Sequence, residues 1–300
     1  MGTSAQLTSA GAAFSELRRL MFSIAYRMTG SVSDAEDIAQ EAFIRFERAR
    51  RDGTKVESPK SWLAAVTTRL AIDHLRSARR QRESYVGPWL PEPLLTESAP
   101  GPDEHAEVAD TLSQAFLVML ETLSPVERAV FLLHEVFGYD YPAVADAVGK
   151  SRQNCRQIAA RARRHVDERR PRFDPDEHHR QELFERFVTA SETGDTDGLK
   201  ELLAADVVLY SDGGGKATAS RHPIVGPERV ARLMVAVTRK HARRGRQWRL
   251  AIVNGQPGLL RFDPDGRVSD VLTVDVLDGF IQAVRIMRNP DKLPRSLGTG

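Results

Sequence analysis

The stretch Ser151-Arg-Gln-Asn-Cys-Arg-Gln-Ile-Ala-Ala-Arg-Ala-Arg-Arg-His-Val166 decides the fold of the middle of this chain. At about 100° per residue it predicts a helix with one narrow apolar stripe, made of Cys155, Ile158, Ala159, Ala162 and Val166. The opposite face carries arginine and glutamine side chains, which read guanine and adenine edges in a DNA major groove. A second short helix, 142–148, and a turn at Gly149 come just before it. This order predicts a helix-turn-helix rather than an ordinary arginine-rich surface helix, and Ser151 is a suitable N-cap.

Positive charge is concentrated around this helix, although the whole chain is nearly neutral. The formal net charge is +2, yet residues 150–170 contain eight Lys or Arg against two acidic residues, which favours a nucleic-acid partner. The single cysteine excludes an intramolecular disulfide and suits a reducing compartment. No apolar run reaches the roughly 18 residues that cross a bilayer, and the N-terminus lacks the features of a secretory signal. We therefore expect a cytoplasmic protein with no membrane partner.

Shifts in composition divide the chain into six segments. We expect a disordered N-terminus over 1–13, a helical domain over 14–82, a flexible linker over 83–108, a helix-turn-helix domain over 109–172, an α+β domain over 176–293 and a disordered tail over 294–300. The linker contains five prolines and little apolar periodicity. Fully extended, its 26 residues reach at most about 85 Å, enough to join two DNA sites about 50 Å apart.

Two helices of the first domain have clear start signals. Ser33-Asp-Ala-Glu36 predicts a capping box at the start of a helix that reaches about residue 49. Ser58-Pro59 predicts the start of the next helix, which reaches about residue 81. The first of these helices places Ile44 in the middle of a charged face, which is compatible with a protein partner as well as with an isolated exposed apolar residue.

An arginine-rich stripe follows the second of these helices. Asp73 is spaced to pair with both Arg69 and Arg76, which by itself describes a solvated ladder of ion pairs. Residues 69–82 contain five arginines against one acidic residue, which favours a surface that faces nucleic acid.

Both helical domains resemble parts of one bacterial protein family. The first resembles region 2 of sigma factors in the motifs Ala25-Tyr-Arg-Met-Thr-Gly30, Asp34-Ala-Glu-Asp-Ile-Ala-Gln-Glu-Ala-Phe43, Ser61-Trp-Leu63 and Ala71-Ile-Asp-His-Leu-Arg76. The second resembles region 4 in Leu123-Ser-Pro-Val-Glu-Arg128, Tyr141-Pro-Ala-Val-Ala145 and the helix from Ser151. Because nothing like region 3 lies between them, the chain is similar to extracytoplasmic-function (ECF) sigma factors. Three further motifs resemble those of the subgroup with a fused C-terminal SnoaL-like domain: Trp89-Leu-Pro-Glu-Pro93, Asp212-Gly-Gly-Gly-Lys216 and Asn289-Pro-Asp-Lys-Leu293.

The resemblance implies two partners, promoter DNA and the RNA polymerase core, the latter bound through its β′ clamp helices and β flap. Contact with core polymerase would fall on Asp37, Gln40, Glu41 and Ile44. The melted −10 element would be held by Arg51, Lys55, Asp73, His74, Arg76, Arg79 and Arg80. The −35 element would be read by Ser151, Arg152, Gln153, Asn154, Arg156, Gln157, Arg161, Arg163 and Arg164. Regulatory contacts between the linker and the C-terminal domain would involve Trp89, Pro91, Glu92, Pro93, Asp212, Gly213, Gly214, Gly215 and Lys216.

The C-terminal domain is predicted to be α+β. Helices begin at Asp174-Pro175 and Gly226-Pro227, and strands cover about 207–211, 247–254, 258–262, 268–277 and 280–288. The fold class is therefore two all-α domains followed by a cone-shaped SnoaL-like, or NTF2-like, domain. Because such cones often hold an apolar pocket, a small ligand of unknown identity is a further candidate partner.

Catalysis by this domain is not expected. Asp212, His222 and Asp275 are acid-base candidates, but no spacing singles out a dyad. The run from Asp212 is best explained as a turn whose glycines allow positive φ, and it lacks the spacing of a P-loop. We expect no catalytic residue, no metal ligand and no cofactor. The alternative is a helix-turn-helix transcription repressor fused to a SnoaL-like small-molecule isomerase or cyclase, which would bind duplex operator without polymerase.

Overall fold

A helical unit and a sheet unit make up the chain in a computed structural model. The structure describes residues 3–96, 112–168 and 176–294, with the backbone alone described for 3–13, 79–83 and 96. The helical unit comprises Met1–Glu83 and Met119–Arg170, and the sheet unit comprises Ser84–Val118 and Pro171–Gly300. Residues 97–108 of the expected linker and 295–300 of the expected tail lie outside the described residues.

Three long helices form the N-terminal part of the helical unit: α1 (Thr3–Thr29), α2 (Val32–Arg51) and α3 (Pro59–Glu83). Helix α1 includes residues 3–13, which we expected to be disordered; the alanines of that segment favour helix. Helix α2 begins earlier than predicted because Ser31, and not Ser33, is its N-cap; the Ser31 hydroxyl accepts the Asp34 N–H at 3.1 Å. The buried side of α2 carries residues that repeat with the helical period: Ala35, Ile38, Ala39, Ala42 and Phe46.

The helix-turn-helix prediction is confirmed in the second part of this unit. Its helices are α4 (Gln114–Leu120), α5 (Pro125–Phe131), a π-helical turn (Leu132–Val136), α6 (Tyr141–Val148) and α7 (Arg152–Asp167). The first residues of α4, up to Val118, belong to the sheet unit. Ser124 and Glu127 form a capping box at the start of α5. Gly149, with φ of 65°, ends α6 in the left-handed conformation that favours glycine. Ser151 then caps α7, and the five residues of the predicted apolar stripe are all buried.

The sheet unit is the expected α+β cone. Its helices are α8 (Glu177–Thr193), α9 (Thr196–Leu202) and α10 (Pro227–Arg243). Its strands are β1 (Leu95–Thr96), β2 (Leu203–Asp212), β3 (Ile224–Val225), β4 (Gln247–Val253), β5 (Gln256–Phe262), β6 (Val268–Leu277) and β7 (Phe280–Met287). They form one sheet in the order β1-β4-β5-β6-β7-β2-β3, in which β2 and β7 are parallel and the other pairs antiparallel.

The predicted boundaries of the sheet unit need small corrections. Helix α8 begins after the N-cap Asp176, whose carboxylate accepts two backbone N–H groups, and not at 174–175. The strands β1 and β3 were not predicted, because two residues give no detectable alternation. Within the described ranges, no helix is long and apolar enough to cross a membrane.

Both faces of the sheet are covered by apolar side chains. On the inner face Leu259 and Leu272 belong to the main core, together with the helices α8 and α10. On the outer face the next residues along the same strands, Leu260 and Val271, pack against Leu90 of the linker. The linker is therefore ordered over 84–96 and not flexible there as predicted, because its leucines find an apolar face that composition alone does not reveal.

Candidate nucleic-acid interface and linker lock

The outer face of α7 presents polar side chains as predicted. Its apolar stripe is buried, so the remaining positions point outward, and most of the nine predicted −35 residues are exposed. Asn154 is half-buried, and the Ser151 hydroxyl accepts the Asn154 N–H at 3.2 Å, so this serine acts as a cap. Gln153 and Gln157 are exposed and lie one turn apart, the arrangement in which two side chains can address neighbouring base pairs.

Two arginines of α7 already have partners inside the helical unit. Arg163 forms an ion pair with Glu135, and the Arg156 guanidinium lies 5.5 Å from the centre of the Tyr141 ring. Such contacts fix a long side chain in one direction and reduce its freedom to reach bases. Arg161 and Arg164 are exposed on the same helix. The exposed glutamines and these two arginines therefore form the best-placed surface for a duplex.

The predicted −10 residues occupy two separate places: Arg51 and Lys55 lie at the end of α2 and just beyond it, whereas His74 on α3 contacts Asp34 at the start of α2. Arg51 and Lys55 are exposed at the end of α2 and in the loop that follows. On α3, Asp73 pairs with Arg76 at 3.3 Å, and His74 lies 3.1 Å from a carboxylate oxygen of Asp34. The side chains of Arg79 and Arg80 lie outside the described residues.

Arg69 does not pair with Asp73, and its contacts correct the predicted ion-pair ladder. Its guanidinium donates to the carbonyl oxygens of Asp146 and Ala147 at 2.7 and 3.2 Å, and to the Asp146 carboxylate at 3.2 Å. These groups lie at the C-terminal end of α6, where carbonyls without helical partners attract a cation. A tertiary contact therefore prevails over the local i, i+4 pair.

A second arginine also joins the two parts of the helical unit. Arg128 of α5 is 3% exposed, donates to the Met28 carbonyl of α1 and forms an ion pair with Glu121 at 2.7 Å. With Arg69, it ties the helix-turn-helix to the N-terminal helices.

The predicted core-polymerase residues border a wide groove between α1 and α2. The groove has a volume of about 1000 Å³, and its lining includes Phe14, Phe43 and Ile44 together with Asp37 and Gln40. Phe14 is 43% exposed and Ile44 is 37% exposed. Glu41 lies beside the groove and pairs with Arg45 at 2.8 Å. Arg18 and Arg19 also line the groove, so its apolar side chains are surrounded by charges of both signs and by an amide, as is typical of a protein-binding surface.

The linker is fastened to the sheet unit by a cluster that we call the linker lock: Tyr85, Trp89, Asp212, Asn289 and Lys292. Asp212 is fully buried, and its carboxylate accepts the Tyr85 hydroxyl at 2.6 Å and the Leu90 N–H at 2.9 Å. The same carboxylate pairs with the Lys292 ammonium at 2.8 Å. One buried carboxylate therefore holds both a side chain and the backbone of the linker.

Lys292 completes the linker lock from the other side of the linker. Its ammonium donates to the Leu90 carbonyl at 2.7 Å, so both backbone groups of Leu90 are bound by the linker lock. It also lies 4.7 Å from the centre of the Tyr85 ring and 4.3 Å from that of Trp89, which are cation–π distances. Burial and the neighbouring Asp212 carboxylate raise the pKa of Tyr85 well above its usual range, so the phenol stays a donor.

The glycine loop next to Asp212 allows this close approach. Gly214 has φ of 57°, and a Cβ there would lie 2.3 Å from the Asn289 amide nitrogen. Gly215 has φ of 73°, and a Cβ there would meet Val86 of the linker at 3.4 Å. The expected contact between the linker and the glycine loop is therefore present in the structure.

The structure distributes the predicted regulatory residues unevenly. Trp89 and Asp212 are central, Pro91 and Pro93 are buried, Glu92 is half-buried, and Lys216 forms an exposed ion pair with Asp291. Sequence reasoning assigned no role to Tyr85 or Lys292. Lys292 could have been found, because it lies in the third motif quoted above, whereas nothing in the sequence distinguished Tyr85.

Two helical modules, one of them a helix-turn-helix with a basic outer face, and an α+β domain that holds their linker define the class of this protein: a transcription factor of the sigma type. Family models for sigma-70 region 2 and sigma-70 region 4 match residues 13–81 and 113–166. The chain is 35% identical over 294 residues to the ECF RNA polymerase sigma factor SigJ of Mycobacterium tuberculosis, covering 94% of this chain and 93% of that protein. It is 32% identical over 295 residues to the probable ECF sigma factor SigI of the same organism, covering 96% and 97%. The chain belongs to the ECF RNA polymerase sigma factor family.

A solved structure extends this likeness to the whole fold. The crystal structure of M. tuberculosis SigJ matches with a TM-score of 0.73 at 34% identity and covers 94% of this chain and 97% of that one. The chain is thus a sigma factor with a fused C-terminal α+β domain. The alternative of a repressor fused to an isomerase or cyclase is not supported, because both sigma regions are matched in order.

Proposed function

We propose that this sigma factor binds core polymerase through the groove between α1 and α2, holds the −10 element with the surface around α3 and reads the −35 element with α7. The β′ clamp helices are the partner we assign to the groove and the β flap the partner of the helix-turn-helix. The exposed apolar pair Phe14 and Ile44 supports the first assignment, and the exposed glutamines and arginines of α7 support the last.

The linker lock carries the second part of the proposal, which is control in cis. A fully buried carboxylate that binds both the linker backbone and a buried lysine is costly to build unless the contact is needed. While the linker lock is closed, residues 84–96 lie on the sheet and cannot lengthen the connection between the two promoter-binding modules.

The helical unit supports the same view. Arg69 and Arg128 hold the helix-turn-helix against the N-terminal helices, whereas promoter elements about one and a half helical turns apart need the two modules about 50 Å from each other. We take the described arrangement as the resting state, and promoter binding requires both these contacts and the linker lock to open. A small molecule in the cone is the signal that we assign to this control.

Run-off transcription with purified core polymerase tests the proposal. The full chain should direct a discrete start site, and Asp146→Ala, which removes a partner of Arg69 without touching the DNA-facing side chains, should raise output. Glu47→Ala, which removes an exposed ion pair with Arg50 on α2, is the matched control and should leave output unchanged. No start site with any promoter library would refute the promoter role, and equal output from wild type and Asp146→Ala would refute a contribution of the Arg69–Asp146 ion pair to the resting state.

A further inference from the structure

A partly open cavity of about 120 Å³ lies in the sheet unit between the helices α8 and α10 and the inner face of the sheet. One side of it is apolar, with Phe187, Met234, Leu259 and Leu272 each no more than 2% exposed. For comparison, an engineered protein cavity of about 150 Å³ holds one benzene molecule. The space therefore fits a compact apolar group and not an extended chain.

The other side of the cavity is polar and carries cations. Arg246, Arg261 and His241 all line it, and His241 and Arg261 are each 5% exposed. The Arg261 guanidinium donates to the fully buried Asp270 carboxylate at 3.1 Å, and its second Nη lies 3.4 Å from Thr238 Oγ1. This last contact is long, so that N–H is weakly bound and available to a better acceptor.

The imidazole of His241 contributes a further donor. Its Nδ1 lies 3.3 Å from the Arg246 guanidinium, which can only donate, and 3.6 Å from an Asp270 carboxylate oxygen, which is beyond hydrogen-bond distance; we therefore assign Nδ1 as the acceptor and the ring proton to Nε2. Burial lowers the pKa of His241 to about 4; the Asp270 carboxylate opposes that shift, and the guanidiniums of Arg261, Arg246 and Arg288 reinforce it. The ring is therefore a neutral N–H donor near pH 7.

The fixed charges around the polar side are nearly balanced. Asp263 pairs with Arg246, and Asp270 pairs with Arg261. Glu192 also lines the cavity but is exposed, so water screens its charge. An anion that enters would thus meet the N–H donors of two guanidiniums, and the carboxylate that faces each guanidinium is already bound to it.

We propose that this cavity binds a small monocarboxylate with a compact apolar body, of the size of isobutyrate or benzoate. The apolar body contacts Phe187, Met234 and Leu272, and the carboxylate accepts from Arg246, Arg261 and His241. A dianion such as phosphate is disfavoured because half of the wall is apolar.

The strands that line the cavity also carry the linker, which gives the ligand a route to regulation. Along β5, Leu259 and Arg261 face the cavity while Leu260 between them packs against the linker. Along β6, Leu272 faces the cavity and Val271 the linker. A ligand that shifts these strands changes both faces, since alternate residues move together. This regulatory consequence rests on the proposed role of the linker lock, whereas binding itself does not.

Isothermal titration calorimetry of the full chain tests the site, with sodium acetate, isobutyrate and benzoate as probes and benzamide as the uncharged match for benzoate. We expect saturable binding of isobutyrate or benzoate and at least tenfold weaker binding of benzamide. Arg246→Gln should lower the affinity for benzoate at least tenfold. Arg267→Gln, which removes an 84% exposed arginine from the neighbouring turn, should leave that affinity unchanged. The thermal unfolding of each variant shows that it is folded.

Three results would overturn the proposal. The first is the absence of detectable binding for all three acids up to about 10 mM. A dissociation constant above that concentration means a binding free energy weaker than about 3 kcal/mol. The second is an affinity for benzamide equal to that for benzoate. The third is a loss of benzoate affinity in Arg267→Gln equal to the loss in Arg246→Gln. Run-off transcription with and without the acid separates the two claims: binding without any change in transcript refutes the coupling to the linker lock but leaves the site intact.

Discussion

Replacing Lys292 by methionine tests whether the linker lock holds the linker on the sheet. Methionine keeps the apolar stem and removes the ammonium, so it breaks the 2.8 Å pair with Asp212 and the 2.7 Å bond to the Leu90 carbonyl. The side chains of Lys292 and Asp212 are 10% and 0% exposed, so the carboxylate would be left buried without its counter-charge.

The size of the effect follows from what remains. Stranding one partner of a buried pair costs about 3–5 kcal/mol. The Asp212 carboxylate still accepts hydrogen bonds from the Tyr85 hydroxyl and from the Leu90 and Gly214 N–H groups, so the free-energy cost of losing the ammonium falls to about 2 kcal/mol. Loss of the cation–π contacts of Lys292 adds about 0.5 kcal/mol or more. Local opening of the linker should therefore become about 30-fold more frequent or greater.

Hydrogen exchange of the Leu90 amide measures this opening directly, because that N–H is bound to Asp212 at 2.9 Å. The rate should rise about 30-fold in Lys292→Met. In Lys216→Met, which removes an ion pair whose partners are 57% and 58% exposed, it should change less than threefold. A Leu90 amide that exchanges at the wild-type rate in folded Lys292→Met would show that the linker is held by its leucines alone.

Three further predictions concern separate parts of the molecule. Arg164→Ala should weaken use of one particular −35 sequence by about 1–3 kcal/mol in promoter titrations; equal loss on every sequence would mark it as a phosphate contact. Burial lowers the pKa of His241 to about 4, below its unfolded value of 6.5, so the stability of the sheet unit should fall by up to about 3 kcal/mol as pH drops from about 6.5 to 4. Denaturant titrations should show that His241→Gln loses this dependence and that the exposed His222→Gln keeps it. Gly214→Ala should release the linker, raising Leu90 exchange at least tenfold, because the new Cβ would lie 2.3 Å from Asn289 at a positive φ; unchanged exchange would mean that the loop adjusts without cost.

The parts of the fold that the sequence predicted well depend on local periodicity. The buried stripe of α7 and the buried side of α2 follow from the 3.6-residue repeat, and the strands β4 to β7 follow from alternation and their turns. The N-cap of α2 was misplaced because Ser31 and Ser33 both satisfy the local rule, and only the backbone conformation distinguishes them.

The features that the sequence did not predict depend on contacts between residues far apart in the chain. Nothing local shows that Leu90 and Leu95 cover the outer face of a sheet more than 150 residues further on, so a proline-rich segment was read as flexible. Asp212 was predicted to take part in a contact with the linker, but the partners of its carboxylate at 85, 90 and 292 were not identified, since they are distant in the chain.

Arg69 lies on the predicted arginine-rich surface and also makes a tertiary contact that the sequence did not predict. The sequence placed it on an arginine-rich stripe, and α3 does expose it at that position, but its guanidinium is bound to the end of α6. Three donor contacts to two carbonyls and a carboxylate satisfy it well, so it cannot serve nucleic acid while these bonds last. We propose that promoter DNA and α6 compete for this side chain. Because the contact is exposed and worth little by itself, a polyanion can displace it, and binding of the promoter would then promote separation of the two modules.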